Sequence, residues 1–310
     1  MNRLFVSLIA FALLGLSSVA FAGPGGVTGA LHIWLRADTG VTNTAGMVRR
    51  WRDQSGNNNH AVHQTGFGEL MPLLVNSNPN VAGRPTLRFN NNAALALDLR
   101  SLAGSDYTIF VVQGRDRAGL ANFYIAGDSL ATNGNLVLGY EQVALLRQAH
   151  FNNDLDATVP TYAGMPIWSI DTFRFSDDEG RTIYQDGAAI AMDGNLQPLV
   201  SNTGTTIGHF RAFGSAFFYQ GDIAEIVVYT RALTERNRLK VEAELAARYG
   251  RQVYPESYVP CDGSYETNED YLREFRRAAR TLRRAGVLSG FQTRNAIAAA
   301  RERDCAYGGM

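Results

Sequence analysis

The sequence predicts an all-β sandwich, and three observations carry that prediction. From about Ala30 to Val228 the chain is a series of short apolar runs broken by Gly, Asn, Asp and Pro, which reads as many strands at close spacing joined by turns. The polar stretch Trp51-Arg52-Asp53-Gln54-Ser55-Gly56-Asn57-Asn58-Asn59-His60 combines residues that tolerate positive φ or bond their own backbone two positions on, so a tight loop is expected there, pinned to an apolar layer by Trp51. Helical periodicity is confined to the residues after Thr234, and the long βαβ spacing of a parallel sheet is missing.

The first element is not part of the fold. Met1 to Leu16 carries one early positive charge and then an unbroken apolar run, and Ala20-Phe21-Ala22 supplies small residues. Residues 1–22 are therefore expected to be a secretory signal peptide cleaved after Ala22, placing the mature chain in the periplasm or outside the cell. A membrane anchor fits less well, because the run is short and nothing later is apolar enough to span a bilayer. The remaining 288 residues are long enough to bury a large core. With 29 acidic and 29 basic residues, the chain has no electrostatic case for a nucleic-acid partner.

Strands are expected around Leu31 to Leu35, Thr86 to Phe89, Tyr107 to Gln113, Leu136 to Tyr140, Ile167 to Phe175, Thr182 to Tyr184, Thr205 to Gly208 and Ile223 to Tyr229. Asp186-Gly187 between two apolar runs signals a hairpin whose central residues both take positive φ. Trp34, Trp51 and Trp168 have apolar, strand-like neighbours and are expected in the core. Thr234 should cap a helix that ends at Gly250 and closes the β domain, 23–252. Residues 253–260, containing Pro255 and Pro260, read as a linker.

The tail, 261–310, should hold two helices. Tyr271, Phe275, Ala278 or Ala279, and Leu282 fall on one face of a helix over Asn268 to Ala285, and Ser289 with Gln292 matches a capping box for a second helix. Cys261 and Cys305 are the only cysteines, and in an oxidising compartment a disulfide between them is the expectation over two free thiols. Metal ligation is disfavoured because no His accompanies them.

Five segments in order, Trp34-Leu35-Arg36-Ala37-Asp38, Trp51 to Asn57, Gly83-Arg84-Pro85, Tyr184-Gln185-Asp186-Gly187 and Gly221 to Tyr229 followed by Arg231-Ala232-Leu233-Thr234, resemble bacterial LamG-like domains of the concanavalin A-like lectin and glucanase superfamily. The resemblance implies a jelly-roll sandwich over about Gly29 to Gly250. It does not imply an activity, since that fold hosts lectins, adhesion modules, enzymes and structural domains.

Glycosidases of this fold use an E-x-D-x-x-E strand. Here Gln220-Gly221-Asp222-Ile223-Ala224-Glu225 copies the spacing, but an amide stands where the nucleophile belongs, so no catalytic residue is assigned. Some relatives hold calcium near the sandwich rim. Asp53, with Asp222, is the candidate ligand here, while the favoured reading has Asp53 accepting backbone N–H groups of its own loop. Sugar binding needs an aromatic platform and fixed polar groups. The candidates are Asn57, Asn58, Asn59, His60, Asn152, Asn153, Asp154 and Tyr219, with Phe151, Phe217 and Phe218 beside them. Arg276, Arg277, Arg280, Arg283 and Arg284 read first as a solvated helix face, with docking to an anionic surface polymer as the alternative. The expectation is thus an exported module binding a glycan or a cell-surface protein, with a polysaccharide hydrolase and an assembly subunit as rivals.

Overall fold

The computed structural model describes residues 23–305 except 66–67, 91, 117–120, 161–165, 215, 252–258, 260, 262–264, 285–287 and 304. The expected signal peptide, most of the expected linker and the last five residues lie outside the described residues.

The described residues form 17 strands in one antiparallel network, nearly closed into a flattened barrel. The strands are β1 (Leu31–Arg36), β2 (Val41–Thr44), β3 (Met47–Trp51), β4 (Ala61–Val62), β5 (Leu73–Asn78), β6 (Arg84–Phe89), β7 (Leu95–Ala96), β8 (Tyr107–Arg115), β9 (Asn122–Ala126), β10 (Val137–Gln142), β11 (Leu145–Ala149), β12 (Asp154–Thr158), β13 (Ile167–Ser176), β14 (Gly180–Gln185), β15 (Ala188–Asp193), β16 (Thr206–Ile207) and β17 (Gly221–Tyr229). One side is built around β17, which pairs with β8 along one edge and with β6 and β1 along the other, and continues through β13, β14 and β15. The other side runs β3, β4, β7, β16, β9, β10, β11, β12. The sides join where Met47 of β3 pairs with Leu73 of β5.

Alternation along each strand explains the layering. Ile109 and Val111 of β8, Ile226 and Val228 of β17, and Ile33 and Leu35 of β1 point into the central core with Trp51, while Phe110, Val112, Val227, Tyr229 and Trp34 point outward. That outer face would expose a large apolar surface, and helix α1 (Glu235–Arg248) covers it with Val241, Leu245 and Ala246. Trp34, Trp51 and Trp168 are all buried, as expected.

Each long apolar run in the sequence does hold a strand. The strands β2 to β5, β7, β9, β11 and β12 are not among the expected ones: β2, β3, β5 and β12 are largely polar or half-exposed, β4 and β7 are two residues long, and β9 and β11 are five residues long. Asp186 and Gly187 take φ of 47° and 91°, the positive pair that the hairpin turn requires. Gly250 ends α1 at φ 66°, but the Thr234 side chain makes no cap hydrogen bond.

In the tail, α2 (Asn268–Arg284) buries Tyr271, Phe275, Ala279 and Leu282, the predicted face. It packs against α3 (Gly290–Arg301), whose capping box is formed: the Ser289 hydroxyl accepts from Gln292 N–H at 3.1 Å and the Gln292 amide accepts from Ser289 N–H at 2.9 Å. Cys261 and Cys305 form a disulfide across 44 residues. No helix among the described residues is long and apolar enough to cross a membrane.

Candidate functional site

A groove of about 260 Å³ on the outer face of β9 to β12 gathers the most ligand-like chemistry. Its floor is set by strand alternation: Leu138 and Tyr140 of β10 and Leu146 of β11 point into the core, so Val137, Glu141, Arg147 and Ala149 point out. Gly139 sits between Phe123 and Arg147 in the register, at φ 142°. A Cβ there would lie 2.5 Å from the Phe123 Cα, so only glycine lets β9 approach so closely.

The platform is aromatic. Phe123 meets Phe210 edge-on at 5.7 Å, Phe210 meets Phe213 at 4.9 Å, and Phe213 meets Phe217 at 5.1 Å. Phe123 and Phe210 are buried and form the base, whereas Phe213 and Phe217 are 44% and 36% exposed and present ring surface to solvent. Phe151 closes the cluster at 6.1 Å from Phe210.

The loop carrying Phe210, Phe213 and Phe217 is pinned from below. Arg211 Nε donates to Glu69 Oε1 at 2.7 Å and its Nη1 donates to Gln64 at 2.9 Å, while His209 lies 2.7 Å from Glu69 Oε1 and 2.8 Å from the Gly214 carbonyl through its two ring nitrogens. Burial alone would raise the Glu69 pKa, but hydrogen bonds from Arg211 and His209 outweigh it and hold the carboxyl at about 2. Phe218 stacks on His209 at 3.8 Å and locks the ring in place.

Along one side of the platform stands a polar wall. Arg147 binds Asp156 through two parallel bonds of 2.8 Å, and its Nη1 also reaches Glu141 and Asp154 at 3.1 Å each. One guanidinium thus faces three carboxylates, leaving Glu141 Oε1 and Asp154 Oδ1 without another hydrogen bond among the described residues. Burial pushes the Glu141 pKa up, Arg147 opposes the shift, and Asp156 and Asp154 reinforce it. Asn152, held at φ 59°, is exposed at the rim. An aromatic face beside fixed oxygen acceptors suits a sugar, whose ring carbons are apolar and whose hydroxyls donate.

The structure divides the sequence-predicted residues among different places. Asn152 and Asp154 line the groove, together with Phe151 and Phe217. Asn153 does not: its carbonyl and side-chain oxygens accept from Arg181, and its amide donates to Asn133 at 2.8 Å, so it ties loops together. Tyr219 is fully buried and its hydroxyl donates to Gln113 at 2.7 Å, which makes it a core residue and corrects the expectation that it sits on a binding rim. Asn57 and Asn59 donate to the His32 carbonyl, Asn57 also to Leu31, and Asn58 takes φ 61°. These three residues build the loop. His60 accepts from Asp53 N–H at 3.1 Å and lines a separate polar cleft with Asp98 and Arg100.

Asp53 accepts from the backbone N–H groups of Trp34, Ser55 and Asn59 at 2.8, 2.9 and 3.0 Å and from the Ser55 hydroxyl at 2.7 Å. Asp222 is clamped by Arg88 through two bonds of 2.8 Å and by Asn78 at 2.8 Å. The two share no partner, and no cluster of three or more His, Cys, Asp or Glu side chains suited to a metal gathers among the described residues. Glu225 lies beneath α1, bonded to Arg248 at 2.8 Å and Tyr249 at 2.7 Å. Burial pushes its carboxyl up while Arg248 and Trp34 oppose the shift. Asp222 and Glu225 therefore face separate structural partners and not a common cleft.

Sequence reasoning missed Phe123, Glu141, Arg147, Phe210 and Phe213. The aromatic density of Phe210 to Tyr219 was the one available signal, since Glu141 and Arg147 belong to strands whose register only the fold supplies.

No protein-family model matches the chain, and no curated protein matches it either. Solved structures do. An arabinofuranosidase complexed with arabinofuranosyl-alpha-1,2-xylobiose aligns at 13% identity and TM-score 0.51, covering 75% of this chain and 61% of that one. Domain 4 of AbnA, a GH43 extracellular arabinanase from Geobacillus stearothermophilus, aligns at 15% identity and TM-score 0.47, covering 71% of this chain and 98% of that domain. A mutant Trypanosoma rangeli sialidase with trans-sialidase activity aligns at 15% identity and TM-score 0.45, covering 72% of this chain and only 34% of that enzyme. At 13% identity the arabinofuranosidase likeness concerns the fold alone.

Proposed function

We propose that the chain is an exported, non-catalytic carbohydrate-binding module of LamG-like, concanavalin A-type jelly-roll topology, and that the phenylalanine groove holds the sugar. The observation that carries this reading is the pairing of two exposed rings, Phe213 and Phe217, with the Glu141–Arg147–Asp154 wall on one sheet face. The excess of carboxylate over guanidinium favours neutral, hydroxyl-rich ligands over anionic ones. Binding is favoured over hydrolysis because Asp222 is clamped by Arg88 and Asn78 while Glu225 is bonded to Arg248 and Tyr249, so the two carboxylates face separate partners.

The fold likeness to an arabinofuranosidase suggests arabinose-substituted xylo-oligosaccharides as first ligands, within a wider glycan array. Phe213→Ala should weaken retention about tenfold by removing half of the exposed platform, and Asp154→Asn should weaken it further without lowering the melting temperature. Retention of the wild type on no neutral glycan, or equal retention by Phe213→Ala, refutes the assignment. In the first case a cell-surface protein becomes the ligand to seek.

A further inference from the structure

A second groove, of about 700 Å³, opens where the start of α1 meets α2, beside the contact of Leu239 with Leu282 and Leu288. Six arginines line it, Arg236 from α1 and Arg273, Arg276, Arg277, Arg280 and Arg284 from α2, against two carboxylates, Glu235 and Glu269. Three of the six have ion-pair partners: Arg273 with Asp270, Arg276 with Glu269 at 2.8 Å, and Arg277 with Glu274 at 3.9 Å. Arg236, Arg280 and Arg284 make no ion pair or hydrogen bond among the described residues, and all three are exposed.

Local helix energetics accounts for only part of this. Arg280 and Arg284 near the end of α2 suit its dipole, but Arg236 lies in the first turn of α1, where a cation is disfavoured. Gathering these guanidiniums in one concave surface adds mutual repulsion that an anion would relieve. Arg280 and Arg284, four residues apart, stand about 6 Å apart along the helix axis. That spacing suits a polymer with repeating charges better than a single small anion. The lining contains no aromatic side chain on which a nucleic-acid base could stack. It also lacks the apolar residues that would insert into a lipid surface.

We propose that this groove binds a linear polysaccharide bearing carboxylate or sulfate groups, at a site separate from the phenylalanine groove and independent of what that groove holds. Guanidinium forks pair with both groups in the same bidentate way. The test uses the full chain with polygalacturonate for carboxylate, dextran sulfate for sulfate, and unmodified dextran as the neutral control, followed by calorimetry. Binding of either charged polymer is expected, with at least tenfold loss between about 50 mM and about 500 mM NaCl as charges are screened. The combined Arg236→Gln, Arg280→Gln and Arg284→Gln variant should lose binding on the order of 100-fold, roughly fivefold per arginine. Its melting temperature should stay unchanged because all three side chains are exposed, and Phe213→Ala should bind the charged polymers as the wild type does. The proposal is overturned if the wild type binds neither charged polymer, if the triple variant binds as tightly, or if binding ignores salt. Tighter binding to phosphatidylglycerol vesicles or to duplex DNA than to either polymer overturns it as well.

Discussion

Replacing Asp53 tests the distinction between a carboxylate that holds a loop and one that holds an ion. Oδ1 accepts from Trp34 N–H and Ser55 N–H, and Oδ2 from Asn59 N–H and the Ser55 hydroxyl. In Asp53→Ala the Trp34 N–H, which is buried, loses its acceptor at a cost of about 1–3 kcal/mol, and the two partly exposed N–H groups add about 0.5–1 kcal/mol each, giving roughly 2–5 kcal/mol. For a domain of this size that corresponds to a fall of about 10 °C in melting temperature. Asp53→Asn keeps a carbonyl oxygen at the Oδ1 position, so it retains two of the three backbone bonds and should lose about 1–2 kcal/mol. Thermal unfolding by circular dichroism, with and without a chelator, reads both effects. The reasoning fails if Asp53→Ala melts like the wild type. It fails equally if the chelator lowers the wild-type melting temperature by a similar amount but leaves Asp53→Ala unaffected, because Asp53 would then be acting through a metal ion.

Two further predictions address the supports of the fold. Because Glu69 is depressed from the usual 4.5 to about 2, its contribution to stability is complete above pH 4.5 and is lost as the pH falls from there towards 2. Glu69→Gln should flatten that acid limb, and glycan retention by the phenylalanine groove should fall over the same window; an unchanged acid limb in the variant refutes the linkage. The Cys261–Cys305 bridge closes 44 residues and should stabilise the tail by about 4 kcal/mol in the chain-entropy model. Reduction should therefore expose α2 and α3 to hydrogen exchange before the β domain, and identical exchange in both redox states counts against this.

How much of the molecule was legible beforehand depended on whether the controlling interactions are local. The Asp186-Gly187 turn and the Ser289–Gln292 capping box were both readable, because each involves residues within a few positions of one another. The apolar face of α2 was readable because one helix period determines it. The pairing of β11 with β12 was not, since Arg147 and Asp156 become neighbours only through cross-strand register. Tyr219 and Phe217 show the same limit within three residues. One is core and the other rim, although nothing in Ala216-Phe217-Phe218-Tyr219 distinguishes them before the chain's path over Gly208 and Gln113 is known.

The Trp51 to His60 segment shows where the division falls. Its residue types by themselves determined a tight loop, because Asp53, Gly56 and Asn58 supply the acceptor and the positive φ values such a loop needs. The sequence likewise determined that this is a β protein with a bridged helical tail, since strand periodicity, turn chemistry and cysteine pairing act over short spans or admit a single partner. Tertiary structure alone decided which polar side chains remain available to a ligand. A carboxylate is available only if no distant donor reaches it. Long-range packing gave Asp53 to the Trp34 backbone, Asp222 to Arg88 and Glu225 to Arg248, and left one oxygen each of Glu141 and Asp154, beside Phe213, without a partner among the described residues.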